Sequence, residues 1–182
     1  MKFFQKQWVA RILCFLMILA AFGIARNKQQ TSYQPSSSSA VENWGEENHD
    51  AYTRYIMDKA DLFSDSTVRK LSEYNAGLDY AYGSICGVAT LSGLDEQDIE
   101  SAAYDMAELL GLGSSDYLLL LEEQSQDWYF AYGDDASYYV DNHLEILVTG
   151  SMDTIYQDAD DSVLEWFEYL QDWIMPTAAS AA

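Results

Sequence analysis

Residues 84–133 read SICGVATLSGLDEQDIESAAYDMAELLGLGSSDYLLLLEEQSQDWYFAYG. The apolar run at 84–91 is short and β-prone, which predicts a buried strand. The segment that follows changes period. Ile99, Ala102, Ala103, Met106 and Leu110 fall on one helical face. Asp95, Glu96 and Asp98 stand at its N-terminal end, where they complement the helix dipole, and Gly111 and Gly113 end it. From Asp116 to Gly133 two apolar runs flank a polar turn, a hairpin pattern. Two strands joined through a helix imply a right-handed parallel crossover, and the hairpin adds an antiparallel strand. The expected fold is therefore α/β, a small sandwich around a central mixed sheet.

Upstream, LFSDSTVRKLSEYNAGLDYAYG (62–83) predicts another helix. Ser64 is its N-cap and Gly83 its stop. Val68, Leu71, Asn75 and Leu78 lie near one face, with Leu71 and Leu78 its strongest core positions. Downstream, two more helices are expected at 141–150 and 160–174, with Pro176 closing the domain. Leu164, Phe167, Leu170 and Ile174 form the core stripe of the last one, leaving Trp166, Tyr169 and Trp173 free to face elsewhere. About four helices thus flank the sheet, in the order α-β-α-β-β-α-α. The domain spans 50–176, with 177–182 a disordered tail.

The N-terminus has a different character. A basic start leads into the uncharged apolar run Ile12–Ala25, so residues 1–26 read as a signal peptide or a signal-anchor helix. Residues 27–49, NKQQTSYQPSSSSAVENWGEENH, are Ser-rich and polar, which predicts a flexible linker. The domain is then expected outside the cytoplasm, on the cell membrane by a single N-terminal helix, or secreted if that segment is cleaved.

Charge narrows the function. The 182-residue chain carries 9 basic and 30 acidic residues, a formal net charge of −21. Lys2, Lys6, Arg11, Arg26 and Lys28 all lie within the first 28 residues, and no Lys or Arg follows Lys70. So acidic a domain repels nucleic-acid phosphates and anionic membrane surfaces, leaving the N-terminal segment as the only membrane contact. Cations, basic proteins and neutral ligands suit it. Cys14 and Cys86 do not make a disulfide framework. With only His49 and His143 beside them there is no zinc spacing, and Cys86 reads as a buried core thiol.

Three stretches carry a resemblance. YIMDKADLFSD (55–65) resembles the opening motif of the TPM domain family. GVATLSGLDEQDIESAAYDMAELLGLG (87–113) resembles its strand, turn and helix, and DYLLLLEEQSQDWYFAYGDD (116–135) resembles its hairpin. The likeness spans roughly residues 53–174. It departs at Ala131, where the family has glycine, at Asp135, where it has glutamate, and at Asp116-Tyr117, where Asn-Gly is usual. The resemblance implies an exported or membrane-tethered α/β domain. The family is often labelled a phosphatase family, and some members are reported to bind calcium.

Hydrolysis of phosphate esters needs cationic groups or metals to stabilise the transferring oxygens. Arg54, Lys59, Arg69 and Lys70 are the only basic side chains of the domain. No Cys-x5-Arg pattern or P-loop occurs, and GLGSSD (111–116) is a weak phosphate cradle. A divalent cation is the better match to the composition, with Ca2+ the ion expected. No EF-hand loop is present, so a site would be assembled from separate loops. The hairpin should bring Asp116 together with Asp134 and Asp135 at one end of the sheet, and Asp141 follows closely. The alternative is a solvated acidic loop in which Gly133 serves turn geometry. Asp58, which the resemblance favours, and Asp61 form a second group at the opposite end. Their alternative role is a structural hydrogen bond. The expected function is a TPM-like binding or accessory module for an envelope or cell-surface protein, possible enzymatic activity being limited to weak metal-dependent phosphatase action.

Overall fold

A computed structural model describes residues 38–140, 150 and 152–180. The N-terminal segment 1–26, the first part of the expected linker, the expected helix at 141–150 (apart from Gly150) and Asp141 lie outside the described residues. No helix among the described residues is long and apolar enough to cross a membrane.

The elements are α1 (Ser38–Asn48), β1 (Ile56–Asp58), α2 (Asp65–Tyr82), β2 (Cys86–Leu91), α3 (Ile99–Leu110), β3 (Tyr117–Glu122), β4 (Asp127–Tyr132) and α4 (Ala159–Ser180). The sheet has the order β1-β2-β3-β4. The first two pairings are parallel and β3–β4 is an antiparallel hairpin, so the expected mixed α/β sheet is present. Local sequence explains the two central helices. Ser64 caps α2 by accepting the Thr67 N–H at 3.3 Å. Asp98 caps α3 by accepting the Ser101 N–H at 2.8 Å. Gly83 (φ 65°) and Gly111 (φ 72°) end the two helices in the left-handed conformation.

Side-chain alternation along the strands makes two cores. On one face Val88, Tyr117, Leu119 and Leu121 pack against Leu71 and Leu78 of α2 and Val163, Phe167 and Leu170 of α4. On the other, Ala89, Leu118, Leu120 and Ala131 pack against Ala102, Ala103 and Met106 of α3. Both parallel connections step the same way across the sheet, yet α2 and α3 cover opposite faces. The two crossovers therefore have opposite hand, and one of them is an exception to the right-handed preference.

Four expectations are corrected. The strand β1 was not foreseen in the IMD of the opening motif, because three residues are too few to show a period. The linker expected at 27–49 is helical over Ser38–Asn48. There Val41 is buried and Trp44 stacks on Tyr80 with ring centroids 4.8 Å apart. The last helix does not stop before Pro176 but runs to Ser180, into the expected tail. Proline inside a helix removes the hydrogen bond to residue 172, and the alanines beyond it are strong helix formers. Finally, Trp166 faces the core with no exposure, and Val163, not Leu164, completes the fully buried stripe with Phe167 and Leu170.

Candidate functional site

The hairpin brings Asp116, Asp134 and Asp135 to one end of the sheet. Asp116 is half-buried just before β3. Its Oδ1 accepts the Ile85 N–H at 2.7 Å and its Oδ2 the Gly113 N–H at 2.7 Å. Its backbone carbonyl accepts the Gly133 N–H at 2.9 Å. The chain leaving β4 then folds back onto Ser114, whose carbonyl accepts the Asp135 N–H at 2.8 Å and the Ala136 N–H at 3.0 Å. The Ser114 hydroxyl donates to Asp135 Oδ2 at 2.5 Å. Asp134 is exposed, and its carbonyl accepts the Ser137 hydroxyl at 2.6 Å.

Gly133 makes this closure possible, for a reason other than turn geometry. Its φ is not in the left-handed region, but a Cβ there would sit 2.3 Å from the Ser114 carbonyl oxygen. The position requires a residue without a side chain because two backbones meet.

The carboxylates of Asp116 and Asp135 thus accept protein N–H and O–H groups. Among the described residues no group of three or more His, Cys, Asp or Glu side chains is arranged to hold a metal ion. Asp58 lies at the far end of the sheet, at the C-terminus of β1, as expected. Its Oδ1 accepts the Leu62 N–H at 3.0 Å and the Thr90 hydroxyl at 2.5 Å, and its Oδ2 accepts the Phe63 N–H at 2.8 Å. That clamp closes the turn and delivers Phe63 to the core. Asp61 is exposed in the same turn at φ 56°.

Glu122, at the end of β3, is a buried acid that no sequence motif marks. Only 2% exposed, it accepts N–H groups from Gln124 and Ser125, each at 2.8 Å, and the Ser125 hydroxyl. Burial alone would raise its pKa, but these hydrogen bonds outweigh burial and hold it below the usual carboxylate range. Its place in the polar run EEQSQD concealed it, since nothing local separates a buried acid from a solvated one.

Beside Asp116 a pocket of about 120 Å³ opens between α3 and the end of the hairpin. Tyr104, Ala107, Leu112, Tyr132 and Gly133 line it with Asp116, and no basic side chain does. Elsewhere, Arg69 and Lys70 pair with Glu73 at 3.0 and 3.1 Å, and Arg54 donates to the Tyr55 hydroxyl at 2.5 Å.

These features define a small α/β domain whose loops are closed by acidic side chains. The TPM domain family model matches residues 56–159, and the chain belongs to that family. Two solved structures share the fold. The N-terminal domain of a protein from P. gingivalis, solved by solution NMR, aligns with a TM-score of 0.61 at 17% identity, covering 75% of this chain and 92% of that one. The N-terminal domain of the cg2496 protein from Corynebacterium glutamicum, also an NMR structure, aligns with a TM-score of 0.52 at 14% identity, covering 63% and 76%. At these identities the likeness is one of fold. None of the curated proteins matches the chain.

Proposed function

We propose that this TPM domain is a non-catalytic binding module for a protein partner in the cell envelope, carried outside the cytoplasm by its N-terminal segment. The observation that supports this reading is how the acids are used. Asp58 and Asp116 accept backbone N–H groups with both of their oxygens, so they work as loop clamps. Phosphoryl transfer would instead need cationic or metal groups aimed at the transferring oxygens. No Lys or Arg follows Lys70, and Arg69 and Lys70 are paired with Glu73. The module needs only a surface.

The test is turnover of p-nitrophenyl phosphate by the full chain with Ca2+, Mg2+ or Mn2+. Rates equal to the metal blanks are expected. Metal-dependent turnover that Asp135→Asn abolishes would replace this reading with the alternative, a weak metal-dependent phosphatase. Placement outside the cytoplasm is checked separately with a C-terminal reporter enzyme active only after export. An inactive fusion would refute it.

Ca2+ is a secondary proposal. It would draw on Asp134, Asp141 and the lone pairs that Asp116 and Asp135 keep beside their hydrogen bonds. A ligand at 100 times its dissociation constant stabilises by about 2.7 kcal/mol, a rise of several degrees in Tm. A Ca2+-specific rise lost in the Asp134→Asn/Asp135→Asn variant is expected. Equal small responses to Ca2+ and Mg2+ in both proteins would reduce the effect to charge screening.

A further inference from the structure

We propose that the pocket beside Asp116 receives an arginine or lysine side chain from a basic segment of the partner protein. The proposal rests on the binding-module reading and names where the module binds and what it recognises.

The walls of the pocket suit the stem of a long cationic side chain. Tyr104 and Tyr132 line it and remain 55% and 41% exposed, while Ala107 and Leu112 supply aliphatic surface. Exposed tyrosine rings over an apolar floor attract a guanidinium or ammonium through their π faces. Acidic residues adjoin the lining on both sides and make its rim. Glu100 and Glu108 stand one helical turn before and after Tyr104 on α3, and both are exposed. The Tyr129 hydroxyl donates to Glu100 at 3.0 Å, and its ring meets Tyr104 edge-on at 6.4 Å, which fixes that side of the rim. On the other side Asp134 and Asp135 follow Gly133 directly and are exposed.

Charge decides between occupants. A purely apolar ligand would leave this rim unused, and an acidic one would be repelled by it. A second copy of the domain brings few cations, since only four basic residues follow Lys28. A basic segment satisfies both the rings and the acids.

The experiment is an anisotropy titration of the full chain with a labelled Gly-Leu-Arg-Leu-Arg-Gly peptide and its glutamine counterpart, at physiological salt. The arginine peptide should bind at least about tenfold more tightly than the glutamine one. Tyr104→Ala/Tyr132→Ala leaves the net charge unchanged and should weaken binding about tenfold, whereas Tyr104→Phe/Tyr132→Phe keeps the rings and the affinity. Both positions are exposed, and circular dichroism is the check that the variants fold. No binding, equal affinity for the two peptides, or full affinity in the alanine variant would overturn the proposal, the last by reducing it to general attraction to an acidic surface. A wild-type dimer in sedimentation that the alanine variant dissolves would also overturn it, by making a second copy the occupant. Phosphate-ester turnover is a separate readout, so failure here is distinguishable from failure of the module reading.

Discussion

The side-chain amide of Asn75 holds the backbone of Cys86 from both sides. Asn75 Nδ2 donates to the Cys86 carbonyl at 2.8 Å, and the Cys86 N–H donates to Asn75 Oδ1 at 2.7 Å. Both residues are fully buried, so the pair ties the middle of α2 to the first residue of β2 where water cannot substitute. Asn75→Ala would leave a buried donor and a buried acceptor without partners, at a cost of about 1–3 kcal/mol each before relaxation. A fall in Tm of at least several degrees is expected. Asn75→Leu, which fills the space without the hydrogen bonds, should fall too. A leucine variant as stable as wild type would show that α2 is held by packing alone.

The thiol of Cys86 follows from the same burial. Burial, and then the charge of Asp116, push its pKa well above the ordinary value, so almost no thiolate forms near neutral pH. In a Cys14→Ser background, the native protein should react with a disulfide reagent at pH 8 only as fast as it opens, and completely once urea unfolds it. Stoichiometric reaction within the mixing time without urea would contradict the buried position.

Gly133→Ala tests the closure of the sheet end. The added methyl would collide with the Ser114 backbone at 2.3 Å, and neither segment is a flexible side chain that can swing away. The loop would have to open, losing the hydrogen bonds from Asp135 and Ala136 to Ser114. The expected loss is about 2 kcal/mol or more by urea unfolding. Gly113→Ala is the control: its methyl would make an ordinary 3.5 Å contact with Asp116, so stability should hardly change. Equal effects at the two positions would mean that the close approach does not carry the cost.

The elements visible in the sequence are those whose signals are local. Helices α2 and α3 carry both a capping side chain and a terminal glycine, and the hairpin carries two apolar runs around a polar turn. Their order alone places Asp116 opposite Asp134 and Asp135. What the sequence concealed depends on contacts distant along the chain. α1 has too few apolar residues to announce itself, and its helix is held by Val41 and Trp44 against α2. The stripe on α4 begins at Val163 and not at Leu164; the two are both apolar, and only the packing of Trp166 decides between them. The partners of the aspartates are backbone N–H groups, which no side-chain pattern encodes. The pocket needs Tyr104 and Tyr132 side by side, a proximity created by α3 crossing the hairpin.

Acid should destabilise the fold through Glu122. Its folded pKa lies below the unfolded value of about 4.3, so the unfolded chain binds more protons as pH falls. The stability it contributes is therefore present above the unfolded pKa and is lost as pH falls through the folded one. The net charge of −21 works the other way, because partial protonation relieves self-repulsion. Urea midpoints should thus hold or rise slightly on mild acidification and then drop. Glu122→Gln places an amide against N–H groups of Gln124 and Ser125. It should lower stability at pH 7 by about 1–3 kcal/mol and flatten the acid limb, converging with wild type at the lowest pH. Parallel curves for the two proteins would remove Glu122 as the cause.

The helix α1 stands or falls on one close approach. A Cβ on Gly45 would lie 2.5 Å from the Glu73 carbonyl oxygen of α2, and a Cβ on Gly77 would meet Val41 at 3.0 Å, so the two helices pack where glycine permits it. Alanine favours a helix over glycine by about 1 kcal/mol, which alone would make Gly45→Ala stabilising. The collision is with backbone, however, and such overpacking costs about 1–3 kcal/mol. An 11-residue helix is marginal without its packing, so pushing α1 off α2 should unfold it. In hydrogen exchange, amides of residues 41–48 should lose protection in Gly45→Ala while those of α3 and β3 keep theirs, and the Trp44 emission should shift to the red as it leaves Tyr80. Unchanged protection in α1 would show that the helix sustains itself, and the close approach to Glu73 would then be a consequence of its docking and not the condition for it.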